Sequence, residues 1–390
     1  MRRAELNQII QDMLSSHPRI SDLNFTVGRP CQIAADGKLH EVPPTLITKK
    51  LVPYQTEQIA MTLINHNKRL LTDLFRQGSC DFSFHLDGGP RFRVNVFSQK
   101  GTFSIVMRKL ENKIPSIESL DLPECFKKIA KEKNGIVLFT GATGTGKTTS
   151  LAAILHEINK IDPVHIITLE DPVEYVHKPI KATFNQREFG QDFDTFANGL
   201  RAALRQAPNV ILVGEIRDRE TMEIALNASE TGHLVLSTLH TMSASNTINR
   251  ILGMFTTEEE RQIRFRLADS LKWVIGQRLL PKKETGRIAI FEILQNNIRV
   301  KDSIIHGERE GKTFYEIIES GEAFDMKTFD QNIIEIYSKG FIDEDTALAY
   351  ASNRAKVRQG IDKVKASRGE ETSDIGSLEI EDDYIDRSYT

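Results

Sequence analysis

The sequence has little that would anchor the chain in a membrane or bind a metal through thiolates. Its 390 residues contain no run of about 18 apolar side chains, the length that a membrane-spanning helix requires. Residues 1–17 are interrupted by polar side chains and form no signal-peptide core. The cysteines, Cys31, Cys80 and Cys125, form no CxxC pair, which is typical of a reduced, cytoplasmic chain without a cysteine metal site. Any membrane association is therefore expected to be peripheral.

An excess of one charge is also absent. The chain has 51 Lys and Arg residues against 54 Asp and Glu residues, and both signs are mixed along it. It has no Lys/Arg-rich loop with interleaved aromatic residues. Both patterns argue against a nucleic-acid partner, because such proteins usually present a basic face to the phosphate backbone. The length suffices for two or three domains.

Residues 1–112 are predicted to form a small α+β domain. Leu6, Ile9, Ile10 and Met13 recur at helical spacing and predict an amphipathic first helix. One further helix is expected over 54–75. Stretches of strand-like alternation predict the sheet, at 22–27, 31–42 (turned by Asp36-Gly37), 80–86, 91–99 and 102–110. The segment 113–124, which contains two prolines, is expected to be a linker.

Residues 125–365 have the pattern of an α/β domain. Near-continuous apolar strands alternate with helices and predict a parallel sheet covered on both faces, with strands at 135–139, 165–169, 210–214 and 234–239. A helix is expected over 257–277, then a strand over 287–294 and further helices to about 364. The tail, 366–390, holds eight acidic residues and few large apolar ones, so it is predicted to be disordered.

The stretch GATGTGKT, 141–148, lies between the first of these strands and a helix and satisfies the pattern GxxxxGK[ST]. Glycines let backbone N–H groups turn toward phosphate oxygens, and the helix N-terminus adds partial positive charge. Lys147 would contact the β- and γ-phosphates, and the Thr148 hydroxyl would bind Mg²⁺. The sequence therefore predicts an ATP and Mg²⁺ site built from Gly141, Ala142, Thr143, Gly144, Thr145, Gly146, Lys147, Thr148 and Thr149.

Carboxylates follow two other predicted strands. Glu170 and Asp171 come directly after 165–169, and Glu215 follows 210–214. The carboxyl ends of parallel strands meet at one edge of a sheet, which is also where the phosphate loop is expected. A carboxylate there can hold the magnesium shell or activate the attacking water, and the pattern leaves both roles open.

Two histidines flank the predicted strand 234–239. His240 ends it on the carboxyl side, where it could contact the γ-phosphate by a hydrogen bond. His233 precedes the strand, and the sequence leaves two roles equally open for it, a nucleotide contact or an anchor for the turn at 230–232.

The four motifs GATGTGKT, TLEDPVEY, LRQAPNVILVGEIRDRETM and ETGHLVLSTLHT resemble the Walker A, Asp-box, Walker B and His-box motifs of the type II/IV secretion ATPase superfamily. Within it the chain resembles the pilus-retraction, or twitching-motility, ATPases of the PilT and PilU type. The likeness extends from 21–30 to 329–353, and IRVKDSIIHGERE, 298–310, is more similar to the PilU branch.

The resemblance implies a fold and a set of residue roles. A PAS-like N-terminal domain is expected before a RecA-like ATPase domain, assembled as a homohexamer. Glu215 takes the position of the catalytic Walker B glutamate, and Glu170 that of the Asp-box acid near the metal or water. His240 and His233 match the His-box histidines. Two arginines on N-terminal strands, Arg93 and Arg108, are implied to approach the γ-phosphate from another domain or subunit.

The function implied is ATP hydrolysis that drives type IV pilus retraction. The expected location is the cytoplasm, peripheral at the inner membrane, with an inner-membrane pilus platform protein as partner and a second retraction ATPase left open. A pilus-assembly or type II secretion ATPase is the first alternative, although such proteins usually carry a CxxC…CxxC insertion. A RecA-like DNA motor and a non-hydrolysing, nucleotide-gated scaffold are the others.

Overall fold

The computed structural model describes residues 1–47, 49–110 and 113–370. They form two compact units, each with its own core. The first unit comprises Met1–Leu138 and Thr148–Leu239, and the second comprises Phe139–Lys147 and the described chain from His240 onward. Within the described residues no helix has the length and hydropathy needed to span a membrane. The predicted domain boundary at 113–124 stays a prediction.

An antiparallel sheet dominates the N-terminal part of the first unit. Its strands lie in the order β3-β2-β1-β6-β5-β4. The predicted strand over 31–42 is a hairpin, whose turn residues Asp36 and Gly37 both have positive φ, 51° and 77°. All the strand stretches predicted here are present: β1 (Ile20–Phe25), β2 (Gln32–Ala35), β3 (Lys38–Glu41), β4 (Ser79–His85), β5 (Arg91–Gln99) and β6 (Thr102–Lys109).

The helices of this part are α1 (Arg3–Ser15), α2 (Pro53–Ile64) and α3 (Lys68–Gln77). The apolar stripe of α1 is fully buried, as its spacing predicts. The prediction of one helix over 54–75 is wrong. Asn65 and His66 have φ of 49° and 58°, which ends α2, and the Asn67 side chain accepts a hydrogen bond from the Arg69 N–H (3.1 Å), which caps α3. Asparagine tolerates left-handed backbone and is a preferred N-cap residue.

The rest of the first unit is an α/β layer structure. Its strands follow the order β7-β11-β10-β8-β9, and the pairs from β11 to β9 are parallel. The strand β9 was not predicted. It lies at the edge of the sheet, and most of its residues are exposed or half-buried, so it lacks the continuous apolar run of the buried strands. The strands are β7 (Gly135–Thr140), β8 (His165–Glu170), β9 (Thr183–Glu188), β10 (Val210–Val213) and β11 (Leu234–Leu239), with helices α4 (Cys125–Ile129), α5 (Lys147–Ile161), α6 (Phe196–Ala203) and α7 (Arg219–Glu230).

The second unit contains an antiparallel strand pair, β12 (Leu271–Pro281) and β13 (Arg287–Gln295). The predicted helix over 257–277 is therefore wrong beyond Ser270. The residues KWVIGQRLL favour a strand once they pair along their whole length with β13, which outweighs weak helical periodicity. Helices surround the pair: α8 (Ala244–Leu252), α9 (Thr257–Ser270), α10 (Ile298–His306), α11 (Phe314–Glu319), α12 (Phe329–Ser338), α13 (Glu344–Tyr350) and α14 (Arg354–Ser367).

The predicted acidic tail lies mostly outside the described residues. Helix α14 continues through residues 366 and 367, which the sequence assigns to the tail, and the description ends at Glu370. The remaining tail segment, 371–390, is not among the described residues.

Candidate nucleotide site

The phosphate loop follows β7 directly and has a backbone that only glycine adopts easily. Gly141, Gly144 and Gly146 have φ of 143°, 80° and 89°. A Cβ atom on Gly141 would lie 2.4 Å from the carbonyl oxygen of Gln277 on β12, which is too close for any side chain. The dihedral angles therefore favour glycine at all three positions, and at Gly141 the available space requires it as well.

Lys147 begins α5, and its ammonium group lies against the loop. Its Nζ donates hydrogen bonds to the carbonyl oxygens of Gly141 (2.8 Å) and Ala142 (2.9 Å), and the residue is buried. The first turn of a helix has N–H groups without intrahelical acceptors and carries partial positive charge. A lysine, glycine N–H groups and a helix N-terminus in one loop form a site for polyphosphate.

Glu170 ends β8 and lies in a buried position. Its Oε1 accepts hydrogen bonds from Thr168 Oγ1 (2.7 Å) and Gln186 Nε2 (3.3 Å). Burial raises the pKa of this carboxyl to about 7, although both hydrogen bonds oppose that shift. Glu170 can therefore exchange a proton near neutral pH, while its proposed part in water or metal binding stays a prediction.

A second Asp-box carboxylate, which the sequence reasoning did not single out, reaches the phosphate-loop helix. The Glu174 side chain lies beside Thr148, the residue that the motif assigns to Mg²⁺. Burial raises the pKa of Glu174, whereas the neighbouring Thr148 side chain and the charge of Arg93 lower it. The available signal was the spacing in EDPVE, which places Glu174 four residues after Glu170.

Glu215 lies just beyond β10, in a turn that is hydrogen-bonded to the strands on both sides, β8 and β11. The Gly214 N–H donates to the Leu169 oxygen (2.8 Å), and Thr238 Oγ1 donates to the Gly214 oxygen (2.7 Å). The Glu215 carboxylate forms an ion pair with Arg217, and only 13% of its side chain is exposed. This turn places a carboxylate at the carboxyl edge of the sheet, as the sequence predicts.

Arg93 and Arg108 face each other across β5 and β6 in direct register. Arg93 Nε lies 3.9 Å from Asp81 Oδ1, and its charge also acts on Asp171 and Glu174. The structure therefore brings Arg93 toward the Asp-box carboxylates within the first unit.

Arg108 has a different environment. Its Nε donates to Asp22 Oδ1 at 2.9 Å, while 69% of its side chain remains exposed to solvent. The guanidinium group is therefore available on the surface of this single chain, and its proposed role at a γ-phosphate stays a prediction.

The two histidines lie at opposite ends of β11. His240 follows the last strand residue at the carboxyl edge. His233 precedes the first strand residue, and an extended strand of this length places it roughly 20 Å from His240. His233 Nδ1 is 2.9 Å from the Ala228 oxygen and 3.2 Å from Thr231 Oγ1. These contacts support the alternative of a turn anchor, and a nucleotide contact by His233 stays a prediction.

Comparison with known proteins identifies the family. The model of the family described as type II/IV secretion system protein matches residues 78–365. The chain belongs to that family.

Its relatives include pilus motor proteins. The chain is 39% identical over 368 residues to the type IV pilus ATPase PilU of Pseudomonas aeruginosa, covering 93% of this chain and 94% of that protein. It is 39% identical over 331 residues to the type IV pilus retractation ATPase PilT of the same organism, covering 84% and 93%. A crystal structure of the pilus retraction motor PilT with bound ADP superposes with a TM-score of 0.80 at 36% identity, covering 92% of this chain and 99% of the other.

These findings confirm the resemblance stated from the motifs, the α/β class with a RecA-like domain after a smaller N-terminal sheet, and the assignment as an ATPase. Binding of adenine nucleotide is supported by the same likeness. The residues around Thr148 also suit a magnesium ion, because a hydroxyl and the Glu174 carboxylate are hard oxygen ligands, and Mg²⁺ usually keeps several waters besides.

Stability should depend on the protonation of Glu170. Its folded pKa of about 7 lies above the ordinary value of 4.5, so between those pH values the folded protein holds a proton that the unfolded chain has lost. The contribution of this group is therefore fully present below pH 4.5 and is lost as the pH rises through 7. Replacement by glutamine, which does not titrate, removes that loss.

The free energy of unfolding of Glu170→Gln minus that of the wild type is thus expected to increase with pH, by roughly 3 kcal/mol between pH 4.5 and 8. Denaturant titrations at four or five pH values in this range measure the difference. A difference that does not change with pH would contradict the buried, proton-binding environment of this carboxyl.

Proposed function

We propose that this chain is an ATPase motor that hydrolyses Mg²⁺-ATP and uses the energy to retract type IV pili. One observation carries the proposal: nearly the whole chain is similar to a retraction motor seen with ADP, and it retains a complete phosphate loop and a carboxylate on the expected strand end. Two relatives, which cover 93% and 84% of the chain, are named as type IV pilus ATPases.

Each residue of the site has a chemical task in this proposal. Lys147 and the loop N–H groups bind the β- and γ-phosphates and offset their charge. Thr148 and Glu174 hold Mg²⁺, which neutralises charge on the phosphate oxygens. Glu215 orients and activates the attacking water, because it follows β10, the strand that pairs with β8.

The remaining groups act on the γ-phosphoryl group, which passes to water as ADP leaves. Arg93 and Arg108 supply positive charge as the transition state forms, from the same or a neighbouring subunit of a homohexamer. His240 contacts the γ-phosphate and so distinguishes ATP from ADP. We further propose that the ring is peripheral to the inner membrane and that a pilus platform protein receives its motion.

Deletion of the gene, with twitching motility and surface pili scored together, tests this function. Cells that carry excess pili and do not move would support retraction, whereas cells without pili would indicate an assembly ATPase. Complementation with the wild type should restore motility, and complementation with Glu215→Gln should not, if hydrolysis drives the motion.

Two assays on the purified protein separate the other candidates. A DNA motor would hydrolyse ATP faster when nucleic acid is added, and a nucleotide-gated scaffold would bind ATP without turnover. We expect turnover that depends on Mg²⁺ and is insensitive to nucleic acid.

A further inference from the structure

A buried carboxylate fixes the segment that follows His240. Glu292 on β13 is 6% exposed, and its Oε1 accepts a hydrogen bond from the Ala244 N–H at 2.7 Å. Ala244 is the first residue of α8, so the charge lies at the positive end of the helix dipole. Ser243 caps the same turn by accepting from the Asn246 N–H (3.2 Å). The start of α8, four residues after His240, is thereby held from β13.

Arg278 on β12 holds the same segment from the neighbouring strand. The register pairs Gly276 with Glu292 and Arg278 with Ile290, so Arg278 and Glu292 are diagonal neighbours on one face of the strand pair. Arg278 Nη2 donates a long hydrogen bond to the Met242 oxygen (3.5 Å). The segment 242–244 therefore has a hydrogen bond to a side chain of each strand, and both side chains are ionisable.

The same guanidinium reaches the C-terminal helices. Its Nη1 donates to the Tyr350 oxygen (3.2 Å) and to Ser352 Oγ (3.3 Å), and its Cζ lies 3.9 Å from the centre of the Phe329 ring. Asp330, beside Phe329 on α12, is 2% exposed and accepts from the Ser352 N–H at 2.7 Å. A movement of the segment between α13 and α14 would thus displace Arg278.

The preceding residue of β12, Gln277, lies against the phosphate loop. A Cβ on Gly146 would be 3.0 Å from Gln277 Nε2, as one on Gly141 would be 2.4 Å from the Gln277 carbonyl oxygen. Successive strand residues point to opposite faces. Gln277 and Arg278 therefore connect the phosphate loop on one side of β12 with the segment 242–244 on the other.

We propose that Glu292 and Arg278 are positioning residues, which hold the segment 242–244 so that His240 is presented to the γ-phosphate, and which link its position to helices α12 to α14. The proposal rests on the proposed function, in which His240 contacts that phosphate. Neither residue is part of the phosphate loop or of the other motifs assigned to the nucleotide. Loss of either contact should therefore slow turnover, with a much smaller loss of ATP affinity, because Lys147 and the loop N–H groups still bind the phosphates.

The test compares Glu292→Leu, Glu292→Gln and Arg278→Met with Ser303→Ala. We expect Glu292→Leu and Arg278→Met to lower kcat about 10-fold, the size of effect that misplacing a catalytic group by a fraction of an ångström produces. Glu292→Gln should recover much of the rate, because its amide oxygen can still accept from Ala244. Ser303→Ala removes a hydrogen bond from the buried Ser303 hydroxyl to the Lys312 oxygen (3.3 Å) in the same unit, without touching the segment or the helices α12 to α14, so it controls for loss of stability and should keep wild-type kcat.

To distinguish a positioning role from a merely structural one, each substitution is combined with His240→Ala. If Glu292 acts through His240, Glu292→Leu should cause no further loss of kcat in that background. Equal losses of kcat in the wild-type and His240→Ala backgrounds would overturn the positioning proposal. Wild-type kcat in both single variants, Glu292→Leu and Arg278→Met, would overturn it as well. If Glu292→Leu does not fold, as judged by thermal melting, Arg278→Met and Glu292→Gln decide the same question.

The outcome also separates this proposal from the one on which it rests. A wild-type chain without Mg²⁺-dependent turnover would overturn the proposed function. A slow His240→Ala variant with additive losses at Glu292 would leave that function intact and overturn only the positioning role. A His240→Ala variant at wild-type rate would overturn both the role of His240 and the positioning proposal.

Discussion

Glu215→Gln should lower kcat by about 10²–10⁴-fold while the protein still binds ATP, because a general base acts only once the water attacks. The substitution keeps the size of the side chain and removes the charge that now pairs with Arg217. Steady-state turnover and equilibrium binding of a fluorescent ATP analogue measure the two quantities separately. Glu220→Gln is a matched control, since Glu220 is an exposed glutamate nearby that pairs with Arg201.

Lys147→Ala should behave differently and lose both turnover and binding. Its ammonium group lies on the loop carbonyls and would contact phosphate in every state of the cycle. The two variants therefore serve as controls for each other. Loss of the general base lowers the rate alone, whereas loss of the lysine lowers ATP affinity as well. Wild-type turnover by Glu215→Gln would show that another group activates the water, with Glu170 and Glu174 as the next carboxylates to replace.

The second large effect is expected at the two arginines of the N-terminal sheet. Arg93→Ala and Arg108→Ala should each lower kcat by about 10³-fold with a much smaller loss of ATP affinity, as for other arginines that stabilise phosphoryl transfer. Arg29→Ala provides the control, because Arg29 is an exposed arginine of the same unit, paired with Glu41. If both variants kept kcat within a few-fold of the wild type, neither arginine would serve the transition state.

Mixing variants shows which subunit each arginine serves. Arg93 acts on Asp171 and Glu174 of its own chain, whereas Arg108 is mostly exposed. In a mixed ring, Arg108→Ala subunits retain Lys147, and Lys147→Ala subunits retain Arg108. Recovery of turnover on mixing would mean that Arg108 completes a neighbour's site. Turnover that stays absent after subunit exchange would place it in the site of its own chain.

The phosphate loop could be predicted residue by residue because its chemistry is local. Glycines, lysine and threonine stand within eight consecutive positions, and the flanking strand and helix follow from short-range hydrophobic pattern. The carboxylate after β10 was also predictable, since parallel strands end at a common edge. The strand β12 was not, because LKWVIGQRLL is compatible with a helix until β13 pairs with it.

The histidines show the limit of motif reasoning within one motif. His233 and His240 are seven residues apart, and the resemblance assigns both to one box. An extended strand separates them, so His240 lies at the carboxyl end of β11, while His233 lies at the other end and contacts Ala228 and Thr231. Sequence spacing alone does not say which residues meet when a fully extended element lies between them.

The sequence by itself determined that this chain binds a polyphosphate and belongs among the secretion ATPases, because those properties depend on contiguous motifs. Only the tertiary structure decided which distant groups meet: Glu174 with Thr148, Gln277 with Gly141, and Glu292 with Ala244. Each pair joins residues 26 to 136 positions apart. Hydrogen bonds and steric contacts act over a few ångströms, so such partners are set by the packing of strands and helices and leave no local pattern in the chain.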